Sequence, residues 1–136
     1  MKDILLETGG PKPSSEEWLK EAKQSDDSDK IGMYLVHNGV VRSTSKSSVY
    51  EGNPAKEVCG MLFTADKDKA EDAIKNTLLL DGVYYVRVWM ADGKLAPGDD
   101  IMQVLIGADI RSHCVDALTS LVGKLKKNCV EEKEIK

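Results

Sequence analysis

Any chemistry in this chain has to be built from its cations. Arg42 closes an apolar, strand-like segment, HNGVVR at positions 37–42. Arg111 falls in the first turn of the last predicted helix, where the helix dipole disfavours a cation. Lys126 ends the same helix, and Lys133 sits in a tail that is otherwise acidic. Taken one at a time, such residues usually read as solvated surface charge. Arg111 differs on physical grounds. A cation at a helix N-terminus adds to a region already made positive by free N–H groups, and so makes a site for an anion. Distance then limits what these groups can do together. Arg111 and Lys126 are 15 residues apart, about 22 Å along a helix. One copy of the helix cannot close both on one small ligand. Either they serve separate sites, or a second subunit brings another set of residues close.

Other chemistries have less to work with. There is no Walker loop, GxGxxG, GxSxG or HExxH. The two histidines are His37 and His113, too few for a His-based metal centre. His113 and Cys114 are neighbours, but on a helix their side chains point about 100° apart. The three cysteines, Cys59, Cys114 and Cys129, form no CxxC pair. They read as free, partly buried thiols rather than a disulfide framework or a zinc site.

The elements that must position the cations follow from composition and pattern. With 136 residues, 41% hydrophobic and 31% charged, the chain suits one core of aliphatic side chains. The net charge of −4 argues against broad nucleic-acid binding, which needs a dense cationic surface. No apolar run approaches the roughly 20 residues of a membrane helix. The N-terminus, MKDILLETGG, carries acids and no long apolar stretch, so it does not read as a secretory signal. A cytoplasmic location is expected.

Along the chain, MKDILLETGGPKP reads as a loose arm or short edge strand followed by a turn. Ser14 and Glu17 fit a capping box for a short helix, EEWLKEAKQ, burying Trp18, Leu19 and Ala22. Residues 31–42, IGMYLVHNGVVR, read as a strand buried on both faces. Asn38-Gly39 could mark a tight turn, but the polar stretch begins only after Arg42, so the glycine is read as a slim strand position. Residues 43–56 read as a long loop and 57–65 as a second strand. Residues 66–80 read as a helix capped by Asp66, with Ala70, Ala73, Ile74, Thr77 and Leu78 on one stripe and Gly82 as its stop. VYYVRVWMA and IMQVLIGA read as a hairpin joined by the long turn DGKLAPGDD. Asp109 is placed as N-cap of a helix from about Ile110 to Lys127, with Val115, Leu118, Leu121, Val122 and Leu125 facing the core and Asn128 ending it. CVEEKEIK could supply a last strand. Strands that arrive in pairs predict an α+β fold with an antiparallel or mixed sheet flanked by helices. Residues 1–29 are expected to form an arm and short helix, and residues 30–136 the main domain.

Several of these pieces occur together in a known family. Gly39-Val40-Val41-Arg42, then Gly93-Lys94-Leu95-Ala96-Pro97-Gly98-Asp99, then Ile110-Arg111, and Lys126 and Lys133 at offsets of 15 and 7, resemble the large, catalytic subunit of molybdopterin synthase over roughly residues 30–136. The family carries a His-Arg pair where Ile110-Arg111 stands here. Other family motifs are altered at Val58-Cys59-Gly60-Met61, Met90-Ala91-Asp92-Gly93 and Glu132-Lys133-Glu134. The resemblance implies an α/β-hammerhead-like fold. It also implies sulfur transfer from a small subunit's C-terminal Gly-Gly thiocarboxylate to cyclic pyranopterin monophosphate, forming molybdopterin for molybdenum cofactor biosynthesis. By the same resemblance Lys126 and Lys133 are catalytic, Arg42, Arg111 and Glu134 bind substrate, and no metal or cofactor is held. The partners implied are the sulfur carrier and a second copy, a homodimer within a heterotetramer with no nucleic acid or membrane, which answers the spacing problem. The internal Gly9-Gly10 pair cannot present a C-terminal carboxylate, so this chain is not itself the carrier. The lost histidine before Arg111 and the altered tail leave open a non-catalytic homologue that binds a pterin or related anion. A third reading makes the cations surface charge on a structural module.

Overall fold

The structure is a computed structural model and describes residues 3–42, 60–128 and 130–135, the last of these as backbone. The loop expected at 43–56, the first residues of the strand expected at 57–65, and Cys59 and Cys129 lie outside the described residues. Two sheets organise the described residues. The larger has the order β1-β4-β6-β2, from Leu5–Thr8, Val83–Met90, Asp100–Ala108 and Met33–Val40. The smaller has the order β5-β3-β7, from Gly93–Leu95, Gly60–Ala65 and Val130–Ile135. β1 runs parallel to β4, and all other pairs are antiparallel. Among the described residues the α-helices are α1 (Ser15–Ala22), α2 (Lys67–Leu78) and α3 (Arg111–Asn128). This is the expected α+β fold with a mixed sheet flanked by helices, and the tail does form a last strand. Among the described residues, no helix is long and apolar enough to cross a membrane.

Helices α2 and α3 cover one face of the large sheet. Their buried residues join Val86, Val88, Met102, Val104 and Ile106 in the main core. The opposite face carries α1, where Trp18 and Ala22 meet Tyr85, Trp89 and Leu105. Ser14 caps α1 by accepting from the Glu17 amide at 3.3 Å. Arg87 then fastens both N-terminal elements to the sheet. Its guanidinium donates to Glu7 at 3.1 Å and to Glu21, and lies 4.7 Å from the Trp18 ring centre. The Trp89 indole donates to the Gly9 carbonyl at 2.9 Å.

The five stripe residues expected on α2 are all buried, and Asp66 caps the helix by accepting from the Lys69 amide at 3.1 Å. Three local expectations need correction. The helix ends at Leu78 with Leu79 as its cap, so Gly82 is not the helix stop. It makes the turn into β4 with φ +77°, a conformation that favours glycine. The strand at 31–42 is shorter, Met33–Val40, and is an edge strand rather than buried on both faces. Its α1-side residues Val36 and Val40 stay exposed, because α1 packs over the central strands instead. On α3 the face that meets the sheet is Cys114, Ala117, Leu121 and Leu125, all fully buried, while Val115 is 41% exposed. Small residues at 114 and 117 let the helix lie close to β6, with the Cys114 thiol 3.6 Å from the Ile106 carbonyl.

This corrected face sets a stability contrast. Leu121→Ala empties a fully buried site and is expected to cost about 2–5 kcal/mol in urea unfolding. Val115→Ala is expected to stay within about 0.5 kcal/mol of wild type. Equal losses would contradict the orientation of α3.

Candidate anion-binding site

The register of β2 explains how Arg42 is delivered. Asn38 and Gly39 are ordinary strand positions, paired with Gln103 and Met102, and no hairpin turn forms there. The pairing then skips Ile101, so that Val40 faces Asp100. Such a bulge bends the strand pair locally. Immediately after it, Val41 is buried and locked on both sides of its backbone. Its amide donates to the Asp99 carbonyl at 2.9 Å, and its carbonyl accepts from the Gly98 amide at 2.9 Å. The turn is held in its own right. The Asp99 side chain accepts from the Ala96 amide at 2.8 Å, and Gly98 has φ +91°. The GVVR strand end and the GKLAPGD turn, far apart in sequence, therefore form one unit, and Arg42 projects from it as an exposed cation. Asn38 adds a tie, donating to Asp100 Oδ1 at 3.1 Å and to the Met102 carbonyl at 3.2 Å.

Helix α3 starts beside the end of β6 and runs back along it. Cys114 in its first turn touches Ile106, and Lys126 in its last turn acts electrostatically on His37 of β2. Lys126 is thus on the side of the molecule toward which β2 carries Arg42. Arg111, the first residue of α3, is at the opposite end. All three cations are exposed. The structure therefore groups Lys126 with the strand leading to Arg42 and keeps Arg111 apart, as the helix length requires. In register, Lys133 pairs with Leu62 and Glu134 with Met61 on the small sheet.

The Arg111 end is tightly built. Asp109 precedes the helix by two residues, and its carboxylate accepts from the Ile110 amide and meets His113 Nδ1, both at 2.7 Å. The His113 contact, first, and the backbone amide hold the Asp109 carboxyl below its usual range. A Cβ at Gly82 would collide with both Asp109 Oδ1 and His113 Nδ1, so the turn before β4 has no room for a side chain. Ile110, the residue standing before Arg111, is 53% exposed.

Two other features decide against alternatives. Burial pushes the Cys114 thiol up, which makes it a poor nucleophile. A cavity of about 340 Å³ near β1 and β4 is lined by Asp3, Asp26 and Asp27, the wrong charge for an anionic ligand.

His37 is the residue that the sequence left without a role. It alternates with Met33, Leu35 and Gly39 on the α3-facing side of β2, and its Nε2 is buried with no hydrogen-bond partner among the described residues. Burial, and then the Lys126 charge, push the imidazole below its ordinary value. The signal available in sequence was its even spacing from Leu35 and Gly39.

Residues 13–128 match the family described as MoaE protein. The fold is similar to that of molybdopterin synthase from Staphylococcus aureus, with TM-score 0.71 and 16% identity over 99% of this chain and 92% of that chain. It is also similar to molybdopterin cofactor biosynthesis protein E from Burkholderia multivorans, with TM-score 0.71 and 16% identity over 98% of this chain and 84% of that one. A third similar structure is a complex of subunits 1 and 2 of the molybdopterin-converting factor from Helicobacter pylori, with TM-score 0.66 and 14% identity over 96% and 88% of the two chains. A comparison with curated proteins found no match by sequence. At these identities the structural likeness establishes the fold. The family match, which spans most of the chain and includes Arg42, Arg111 and Lys126, shows that the chain belongs to the MoaE family.

Proposed function

We propose that this chain is the catalytic large subunit of a molybdopterin synthase. It transfers sulfur from the C-terminal thiocarboxylate of a small carrier to cyclic pyranopterin monophosphate, forming the dithiolene of molybdopterin. The observation that carries this reading is the family match over residues 13–128. Both reactants are anions, so the site needs fixed cations aimed at them. Lys126, exposed on the last turn of α3, positions or activates the thiocarboxylate. It can exchange a proton if the bound carrier desolvates it. Lys133 assists and binds the substrate anion, with Glu134 beside it in sequence. Arg42 and Arg111 hold the phosphate and pterin. Because α3 separates Arg111 from Lys126, the complete site needs Arg111 from a second copy, which supports a homodimer. A small-subunit partner is supported by the Helicobacter pylori structure, which contains subunits 1 and 2 together.

One observation favours a second reading. The family's histidine before Arg111 is replaced by Ile110, which is exposed and cannot hydrogen-bond through its side chain. A non-catalytic homologue that binds a pterin or related anion would tolerate that change.

A sulfur-transfer assay with pyranopterin and a thiocarboxylated carrier separates the two. Wild type is expected to convert the substrate, and Lys126→Ala to lose at least about a hundredfold in rate with an unchanged circular dichroism spectrum. Pterin binding without conversion by wild type would favour the second reading. Full conversion by Lys126→Ala would remove the assigned role. Arg42→Ala is expected to act mainly through KM, raising it about tenfold for loss of a charged hydrogen-bond partner. An unchanged KM would place Arg42 outside the site.

A further inference from the structure

We infer that two copies of the chain meet through α3, packed antiparallel about a two-fold axis opposite Leu118 and Thr119, and that this pairing brings Arg111 of one copy level with Lys126 of the other. The inference rests on the two-copy site proposed above and names the surface that builds it.

Helical periodicity picks out the surface. At about 100° per residue, Leu118, Arg111, Val122, Val115 and Lys126 share one strip of α3 about 80° wide. The strip borders the face formed by Cys114, Ala117, Leu121 and Leu125, which is fully buried against the sheet. His113 sits beyond the other border of that face, against the turn at Gly82 that follows α2. The strip is therefore on the flank of α3 turned away from α2. Helix α3 lies over β6 and β2, and β2 is the outermost strand of the large sheet. The flank thus overhangs an edge of the molecule. Among the described residues the strip is incompletely covered. Val115 is 41% exposed, Leu118 and Val122 are half-buried, and Arg111 and Lys126 are exposed.

The strip is symmetric about its own centre, which identifies the occupant as a second copy. A two-fold axis at the midpoint of Leu118 and Thr119 exchanges Val115 with Val122 and Arg111 with Lys126. The i, i+4 ridge Arg111–Val115–Thr119 of one helix then faces the ridge Lys126–Val122–Leu118 of the other, and such ridges are the units by which helices pack. Apolar side chains close the middle and cations stand at both ends, a self-complementary contact of the kind that closes a dimer. The charges fit as well. Arg111 is disfavoured at the positive end of its own helix, but antiparallel packing sets it at the negative, C-terminal end of the partner copy's α3. The same axis lays the outer edge of β2 antiparallel to the same edge of the second copy, a pairing that would satisfy the backbone of both edge strands. Val36 and Val40, exposed on the other face of β2, extend the contact. Two cations held at one level repel each other, so an anion between them completes each end. That is where the anionic reactants enter, and a dimer has two such sites.

Cysteine cross-linking reads this register. Val115→Cys and Val122→Cys are prepared as separate full-length chains, mixed to exchange subunits and mildly oxidised, and the link is located by mass spectrometry. The mixture is expected to form a covalent dimer joined from position 115 to position 122. Each variant alone is expected to form none, because like positions lie roughly 10 Å apart along the paired helices, beyond disulfide reach. Val115→Arg, which adds a cation to the strip, is expected to weaken dimerisation at least about a hundredfold in sedimentation equilibrium with an unchanged circular dichroism spectrum. A dimeric protein whose mixed variants do not cross-link, or a Val115→Arg variant that dimerises like wild type, overturns the inference and leaves the proposed sulfur transfer standing. Equal cross-linking by Val115→Cys alone overturns the position of the axis. A monomeric wild type overturns the pairing together with the two-copy site. Cross-linking in a protein whose wild type converts no pyranopterin overturns the proposed function and leaves the interface standing.

Discussion

A rigid helix of 18 residues, α3, fixes the distance between the two ends of the molecule. Its residues Arg111 and Lys126 cannot approach, because each residue adds about 1.5 Å of rise. The helix also cannot slide or tilt freely. Cys114, Ala117, Leu121 and Leu125 are fully buried against the sheet. Everything proposed about the site follows from this separation: what happens at Lys126 happens far from Arg111 of the same chain.

Each end is held by a different device. At the Arg111 end, the turn before β4 packs so closely on Asp109 and His113 that only glycine fits at position 82. At the other end, the backbone of Val41 is bonded to both Gly98 and Asp99. That contact turns two remote sequence motifs into one rigid exit for Arg42. Backbone hydrogen bonds on the residue just before Arg42 aim it, while its side chain stays exposed to meet a ligand. Arg87, with Glu7, Glu21 and Trp18, does the comparable work for the N-terminal elements, but on the face away from α3.

Much of the fold was legible in the sequence. The α2 stripe, the Ser14 and Asp66 caps, the β4–β6 pairing and the last strand all follow from local pattern. Asn38-Gly39 reads as strand rather than turn because the polar stretch begins only after Arg42, and it is strand. What failed had a common cause: local pattern does not reveal which neighbour an element meets. Residues 31–42 are rich in strand formers, yet nothing in them says that β2 is an edge. Val115 fits an apolar stripe, but the closer approach allowed by Cys114 and Ala117 rotates it away from the sheet. The three residues of β5 are hidden inside a turn-like run and become a strand only because β3 is there to pair with them. The cations were visible as residue types. Their grouping was visible only as a distance limit.

The central claim is that one copy cannot complete the site and that two copies exchange Arg111. Subunit complementation tests it most directly. Lys126→Ala and Arg111→Ala are each made as separate, inactive proteins, mixed under conditions that allow subunit exchange, and assayed with a thiocarboxylated carrier and pyranopterin. If the site spans two copies, mixed dimers contain one intact site, and activity returns to about a quarter of wild type. If each copy carries its own complete site, the mixture stays as inactive as its parts, and the account is contradicted.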